Sequence, residues 1–155
     1  MTIAPTLRKY LDQNVTYDVI CHEPTMTSMR TAEASHVSGE RLAKAVVLRR
    51  DGGYMLAVLP ASHHVRLPEL EKQLGEHVDL AKEGEIDALF RDCAHGAIPP
   101  VGDCYALDVI VDDSIADQPE VYLEGGDHAT LIHLSHEQFA QLIADARRGQ
   151  FSAHD

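Results

Sequence analysis

Three short segments of this 155-residue chain combine residue types that could act on an anionic, activated substrate. Lys44 stands alone at the start of an apolar run, residues 96–100 read Gly-Ala-Ile-Pro-Pro, and residues 125–128 read Gly-Gly-Asp-His. A lysine can neutralise a phosphate, and backbone N–H groups of a Gly-containing loop can stabilise an oxyanion. Each segment also has an ordinary structural explanation, as a solvated strand end, a turn or a hairpin connection, so the interpretation depends on their combination.

Several other chemistries find no support in the sequence. The chain has neither G-x-G-x-x-G nor G-x-x-x-x-G-K-[ST], the two common nucleotide-phosphate loops, and no G-x-S-x-G nucleophile elbow. Cys93, His95 and Cys104 could supply three metal ligands, but no C-x-x-C or H-E-x-x-H spacing supports them. We therefore expect no metal and no cofactor. The acidic residues at 112, 113, 117 and 120 lack the pattern of a calcium loop and predict a solvated connection.

Composition and charge limit the class of partner. With 13 basic and 25 acidic residues, the net charge of −12 argues against coating a nucleic acid and against sequence-specific DNA binding. It leaves open a small basic pocket that grips one end of a nucleic acid. No apolar run approaches the ~18 residues of a membrane span, and three widely spaced cysteines without a signal peptide favour the cytoplasm. We expect one domain over residues 1–150, with a loose tail from Gly149 that includes residues 151–155.

Hydrophobic periodicity and turn residues predict many short elements. The clearest is a hairpin of strands 44–50 and 54–59 around Asp51-Gly52-Gly53. Ser135 and Gln138 have capping-box spacing at the start of a final helix with an inner face that reaches Ala146. Further helices are predicted at 4–13, 31–37, 68–73 and 83–91, and further strands at 17–21, 65–67, 77–80, 107–111, 121–124 and 129–134. The predicted fold class is α+β, with a mixed, partly barrel-like sheet surrounded by short helices.

In this order along the chain, the segments resemble the YbaK/prolyl-tRNA editing domain family. The resemblance begins at Tyr-Asp-Val-Ile-Cys-His (17–22) and continues through Thr-Ala-Glu-Ala (31–34) and Ala-Lys-Ala-Val-Val-Leu (43–48). It then includes the Gly-x-x-Pro-Pro loop and Tyr-Leu-Glu-Gly-Gly-Asp-His-Ala-Thr-Leu (122–131), and it covers nearly the whole chain. One of these motifs alone would be weak, but the ordered set is fairly specific.

This resemblance implies a YbaK-like fold that hydrolyses, in trans, the ester between a wrong amino acid and the 3′ end of a tRNA. The expected partners are the acceptor end of the mischarged tRNA, tRNA(Pro) in the first place, and prolyl-tRNA synthetase as a candidate recruiting protein. By the same resemblance, Lys44 is the signature functional residue. The loop from Gly96 to Pro99 lies against the aminoacyl group, and residues 126–128 line the same pocket.

Physical reasoning gives the loop and the lysine separate roles. The N–H groups of Gly96, Ala97 and Ile98 are expected to stabilise the oxyanion, while Pro99 and Pro100, which have no N–H, fix the loop. Lys44 would bind the terminal phosphate or lie near the ester. The vicinal ribose hydroxyl would then assist the attacking water, so neither a metal nor a side-chain nucleophile is needed.

Other polar residues are expected to bind substrate. His128, beside Gly126 and Asp127, would hold the amino group or the ribose. Ser28 and Thr31 would hydrogen-bond the terminal adenosine or the amino acid. His22 would lie at the edge of the pocket.

Ala45 follows the lysine where some alanine-specific members of the family have a polar residue, so the amino acid that is removed stays open. Arg49, Arg50 and Arg66 are candidates for a basic rim that would offset the acidic net charge. Two alternatives stay open: a non-catalytic module that binds tRNA ends or a synthetase, and an unrelated metal-dependent enzyme.

Overall fold

The two longest strands, β2 (Leu42–Arg50) and β3 (Gly53–Pro60), form the predicted hairpin in a computed structural model that describes residues 2–155. Their antiparallel register runs from Ala43 opposite Pro60 to Arg50 opposite Gly53. The chain reverses at Gly52, whose φ of +79° suits a residue without a Cβ atom. The Gly-rich turn between two apolar runs therefore predicts this central pair correctly.

The remaining elements are short. The other strands are β1 (Asp18–Cys21), β4 (His63–Val65), β5 (Val78–Leu80), β6 (Asp108–Asp112), β7 (Glu120–Glu124), β8 (Thr130–Ser135), β9 (Arg147–Gly149) and β10 (Ser152–His154). The helices are α1 (Pro5–Asn14), α2 (Ser28–Ser35), α3 (Leu67–Leu74), α4 (Glu83–Leu89), α5 (Asp113–Ala116) and α6 (His136–Leu142). A 3₁₀ turn covers Asp103–Tyr105. Within residues 2–155, no helix has the length and apolar character that crossing a membrane requires.

The main sheet is mixed and open. Its strands follow the order β1-β8-β7-β2-β3-β6-β9, and β5 joins it by pairing with β2. The β2–β7, β3–β6 and β6–β9 pairs are parallel and the others are antiparallel. The strands at the two ends, β1 and β9, do not pair with each other in the described chain. The mixed α/β fold class is confirmed, and the sheet does not close into a barrel.

One edge of β2 is shared by two different strands. Parallel β7 pairs with it only at Leu42 and Ala43, and antiparallel β5 pairs with it only from Leu48 to Arg50. Between these two contacts, no strand pairs with residues 44–47 on this edge in the part of the chain described, although the Val47 carbonyl accepts the Ala81 N–H at 3.0 Å. We call this opening the β2 fork. It leaves the backbone on either side of Lys44 beside a gap in the sheet.

The core lies on both faces of the sheet, because β3 is buried on both sides from Met55 to Pro60. On one face, Met55, Ala57 and Leu59 pack with residues of α3 and with Phe151. On the other, Val58 packs with buried residues of α1 and α6. An alternating apolar-polar pattern would place β3 at the surface, and its continuous apolar run correctly indicates a central strand.

Local signals locate most helix ends. Pro68 lies in the first turn of α3, and Gly75, with a φ of +72°, ends it. Both hydrogen bonds of the Ser135–Gln138 capping box are present, although α6 ends at Leu142, before Ala146. The prediction for α2 is displaced. Thr27 accepts from the Arg30 N–H and caps the start of the helix, and the left-handed conformation of His36, with a φ of +56°, ends it after Ser35.

The prediction of a loose tail is wrong. Phe151 is fully buried, and β10 pairs with β4 in a separate two-stranded sheet, so residues 65–67 do not extend the main sheet as predicted. The predicted solvated acidic connection is also wrong at Asp112. This carboxylate is buried and accepts the backbone N–H groups of Ser114, Phe151 and Ser152 at 3.1, 2.8 and 3.1 Å. These contacts attach the C-terminal segment to the end of β6.

Burial of Phe151 predicts a large contribution of the C-terminal segment to stability. Phe151→Ala should lower the free energy of unfolding by about 3–5 kcal/mol, because it leaves a cavity among the core residues around α3. Leu80→Ala, at a side chain that is 58% exposed, is the control and should change it by about 0.5 kcal/mol or less. Urea unfolding followed by circular dichroism measures both. Similar midpoints for the two variants would contradict a buried C-terminal anchor.

Candidate active site

A cavity opens to solvent beside the β2 fork. Its wall is formed by the start of β2, the end of β7, the β8 strand, the N-terminal part of α2 and the loop at 96–98. The lining residues are Met26, Thr27, Ser28, Thr31, Leu42, Ala43, Lys44, Ala45, Gly96, Ile98, Glu124, His128 and Leu131.

Seven residues predicted from the sequence lie in this cavity, although they come from four separate parts of the chain. They are Ser28, Thr31, Lys44, Ala45, Gly96, Ile98 and His128. Six others do not line it: His22, Ala97, Pro99, Pro100, Gly126 and Asp127. The lysine and the proline-containing loop therefore share one cavity.

The Lys44 side chain is half-buried and held by the turn between β3 and β4. Its Nζ donates to the carbonyl oxygen of Ala61 at 3.4 Å and to that of His63. Burial lowers the pKa of Lys44, and the nearby carboxylate of Asp155 opposes that shift. Two neutral acceptors leave the ammonium with its full positive charge, and no salt bridge to a carboxylate forms within 4.0 Å among residues 2–155.

The loop at 96–98 supplies two unpaired N–H groups, not three. The Ala97 N–H donates to the Ala94 carbonyl at 2.9 Å, and Ala97 is only 1% exposed. An amide that is already bonded and buried is a poor oxyanion donor, so the expectation for Ala97 is not met by this geometry. The N–H groups of Gly96 and Ile98 form no hydrogen bond within the described chain. Gly96 has a φ of +79°, which turns the loop at the cavity.

Pro99 and Pro100 lie behind the cavity wall. Both are buried, and Pro100 faces a separate small cavity together with Val101 and Leu142. Because proline restricts the residue before it, Pro99 favours an extended conformation at Ile98. In this structure the two prolines support the loop from the core side and do not line the cavity.

Gly126 and Asp127 build the turn that presents His128. A Cβ atom at Gly126 would lie 2.9 Å from the Cβ of Ala4, so a side chain does not fit there. The Asp127 carboxylate accepts the Ala129 N–H and the Thr130 hydroxyl, both at 2.9 Å. These two residues position the turn, whereas His128 itself lines the cavity.

The His128 ring is fixed against the loop at 96–98. Its Nε2 lies 2.5 Å from the carbonyl oxygen of His95. A carbonyl can only accept, so Nε2 carries the proton, and Nδ1 is the free nitrogen of the ring. The ring also lies against Gly96, where an added Cβ would be 3.6 Å from its Cε1 atom.

The hydroxyl groups on α2 differ in availability. Thr31 is 4% exposed and its Oγ1 lies 2.5 Å from that of Thr25, so much of its bonding capacity is used internally. Ser28 has a side-chain hydroxyl without a hydrogen-bond partner in residues 2–155. His22 does not line the cavity, and its Nδ1 lies 2.6 Å from the carbonyl oxygen of Glu23.

Glu124 was not predicted as a site residue, yet it lines the cavity at the end of β7. Its Oε2 accepts the Gly126 N–H at 2.8 Å. Burial raises the pKa of Glu124, and the Gly126 N–H partly offsets that shift. A lone acid at the end of an apolar strand, directly before Gly-Gly, was the available signal, but only the sheet order places it beside the cavity.

The half-buried thiols of Cys93 and Cys104 are not candidates for a nucleophile. Burial raises the pKa of Cys93 to about 11 and that of Cys104 to about 12, so both remain protonated near neutral pH. Neither lines the cavity. In the described residues, no three His, Cys, Asp or Glu side chains are grouped in a way that could hold a metal ion.

None of the three arginines expected at a basic rim, Arg49, Arg50 and Arg66, lines the cavity. Arg66 directly precedes α3. Arg49 and Arg50 lie at the hairpin end of β2, where Arg50 pairs with Glu76 at 2.7 Å and with Asp108 at 2.9 Å. Arg49 lies 3.9 Å from Asp79. Neither lines the cavity, because they are at the far end of the strand from Lys44.

A family model described as aminoacyl-tRNA editing domain matches residues 22–142. The fold is similar to that of several solved structures at low sequence identity. One, a suggested trans-editing enzyme for prolyl-tRNA synthetase, has a TM-score of 0.82 and 21% identity, covering 98% of this chain and 99% of the other.

The protein APE2540 has a TM-score of 0.83 and 20% identity, covering 96% and 99% of the two chains. A scaffold used for computational epitope grafting has a TM-score of 0.83 and 21% identity, covering 97% of each chain. These likenesses concern the fold alone. Comparison with curated protein sequences gives no match.

The raised pKa of Glu124 predicts that its charge opposes folding. When a carboxyl group has a higher pKa in the folded state than in the unfolded state, its ionisation lowers the free energy of unfolding. This loss begins as the pH rises above about 4.3, the pKa of the group in the unfolded chain. Glu124→Gln keeps an oxygen for the Gly126 N–H and removes the buried charge. Its stability relative to the wild type should therefore increase from pH 4 to pH 8, as measured by urea unfolding. Glu33→Gln, at an exposed position on α2, is the matched control. A relative stability of Glu124→Gln that falls over this range would contradict the prediction.

Proposed function

The chain belongs to the aminoacyl-tRNA editing domain family, and we propose that it hydrolyses the ester between a wrongly attached amino acid and the 3′ end of a tRNA. The observation that carries this proposal is the common cavity of Lys44, Gly96 and Ile98. It combines a cation for a phosphate with two unpaired N–H groups for an oxyanion, and an aminoacyl ester needs little further activation.

In the proposed reaction, the oxygen of a water molecule adds to the ester carbonyl carbon. The N–H groups of Gly96 and Ile98 stabilise the negative charge that develops on the carbonyl oxygen. The bond between the carbonyl carbon and the ribose oxygen then breaks, and that oxygen takes the proton that the water gives up. The products are a free amino acid and a tRNA with a free terminal hydroxyl. The vicinal ribose hydroxyl positions the water, so no enzyme nucleophile participates.

The proposed substrate is tRNA(Pro) that carries a small amino acid, acted on in trans and in the cytoplasm. The structural neighbour that is a suggested trans-editing enzyme for prolyl-tRNA synthetase supports this choice. The small side chains of Ala43 and Ala45 in the cavity wall are compatible with a small aminoacyl group. Recruitment by prolyl-tRNA synthetase would compensate for the acidic surface.

Loss of the Lys44 charge should stop the reaction. Lys44→Ala is expected to reduce the deacylation rate by about 100-fold or more, because a half-buried ammonium at the site has no substitute in the cavity. The assay uses tRNA(Pro) charged separately with alanine, cysteine, serine, threonine or 2-aminobutyrate. Lys72→Ala, an exposed lysine on α3, is the matched control and should retain full activity.

Turnover of no substrate by the wild type, or full activity of Lys44→Ala, would contradict the proposal. Binding without turnover would favour a non-catalytic module. Loss of activity on treatment with a chelator would favour a metal-dependent enzyme.

Arg30 is a better candidate than Arg49 or Arg50 for contact with tRNA phosphates. It is exposed on α2, next to the cavity residues Ser28 and Thr31, and no acidic group lies within 4.0 Å of it in residues 2–155. Arg30→Ala should raise KM several-fold and reduce the slope of log affinity against log salt by about 0.7 for a single-stranded end. Arg148→Ala, which removes the same charge from an arginine paired with Asp117, is the control. Equal effects of the two variants would contradict a specific contact at Arg30.

A further inference from the structure

We propose that Glu124 binds the α-ammonium group of the aminoacyl ester, so that the site selects esters of α-amino acids over esters without this charge. This inference rests on the proposed function and goes further, because it assigns the recognition of a chemical group. The amino group was earlier expected to contact His128, but Glu124 offers the complementary charge.

The first support is the geometry of the carboxylate. Oε2 accepts the Gly126 N–H at 2.8 Å, and the Asp127 N–H also contributes to lowering the pKa of the carboxyl group. In residues 2–155, Oε1 has no side-chain hydrogen bond and no salt bridge. Glu124 lines the cavity, and Oε1 is not among the buried, unpartnered atoms, so this oxygen is accessible. A carboxylate oxygen with free lone pairs on a cavity wall is a ready acceptor for an ammonium group.

The second support is the match of charges. The aminoacylated end of a tRNA has a negative phosphate on one side of the ester and a positive α-ammonium group on the other. The cavity contains one ammonium group, on Lys44, and one carboxylate, on Glu124. These two groups do not pair with each other within 4.0 Å, so each is available to the substrate. An α-amino group with a pKa near 7.7–8.0 is substantially charged at neutral pH.

A structural role alone does not explain this residue. Capping the Gly126 N–H requires one oxygen, which a glutamine amide supplies equally well. The half-buried charge opposes folding, as the raised pKa indicates. A charged side chain that lowers stability and lies on the wall of a cavity is typical of a functional residue.

The test compares two esters on the same tRNA(Pro). The first carries the amino acid that the wild type removes fastest from the panel above. The second is the same aminoacyl-tRNA after deamination with nitrous acid, which replaces the ammonium group by a hydroxyl group of similar size. Each enzymatic rate is divided by the rate of uncatalysed hydrolysis of the same ester, which removes the difference in intrinsic reactivity.

The wild type should accelerate aminoacyl ester hydrolysis about 10- to 100-fold more than hydroxyacyl ester hydrolysis. Glu124→Gln should lose this factor on the aminoacyl ester and retain its rate on the hydroxyacyl ester within about two-fold. Glu33→Gln, which removes the same charge from the exposed face of α2, should leave both rates unchanged.

Equal acceleration of the two esters by the wild type would overturn the inference while leaving the proposed function intact. Equal loss on both esters in Glu124→Gln would also overturn it, because that result indicates a general effect on the site. If this variant does not fold, the wild-type ratio decides. No acceleration of either ester by the wild type would instead overturn the proposed function.

Discussion

The fork in the edge of β2 is the structural constraint on which the site depends. A central strand of a sheet normally pairs along both edges. On one edge of β2, however, pairing with β7 stops after Ala43 and pairing with β5 begins only at Leu48. Between them the sheet is open, and elements from other parts of the chain close the gap only partly. β3 pairs with β2 along nearly its whole length, so the backbone of β2 beside the fork is hydrogen-bonded on its other edge. A cavity in a sheet requires a firm opposite edge, and the hairpin provides it.

The charged groups in the cavity are held at the expense of stability. Burial lowers the pKa of Lys44 and raises that of Glu124, so each loses solvation as a charged group in the folded protein. The hydrogen bonds of both charged groups are made with the backbone: the carbonyls of Ala61 and His63 accept from the ammonium, and the Gly126 N–H donates to the carboxylate. The nearby carboxylate of Asp155 further favours the charged form of Lys44. Main-chain dipoles hold a charged side chain in place without neutralising it. Such a side chain can still bind an oppositely charged ligand, whereas a side chain in a salt bridge is already paired.

Local sequence signals predict much of this structure, and long-range pairing accounts for what they miss. The Gly-rich turn at Gly52 and the Ser135 cap act within a few residues, so the hairpin and the start of α6 follow from the sequence. The family resemblance brings together Lys44, Gly96 and His128. Docking of the C-terminal segment depends on two amides, those of Phe151 and Ser152, which reach Asp112 from 39 and 40 positions away, and no periodicity reveals such contacts. Glu124 was missed for the same reason, since strand alternation does not specify which strands are neighbours.

The acidic net charge is compatible with a nucleic-acid substrate if only its end enters the protein. Several arginines of the described chain are already paired with carboxylates, including Arg41 with Glu120 at 3.1 Å and Arg50 with Glu76 at 2.7 Å. Such pairs offer little attraction to a duplex, and the excess of carboxylates repels it. Lys44, by contrast, lies in the cavity with backbone carbonyls as its hydrogen-bond partners. Under the proposed function, weak attraction along the tRNA and strong attraction at its aminoacylated end favour brief encounters that sample many correctly charged tRNAs without retaining them.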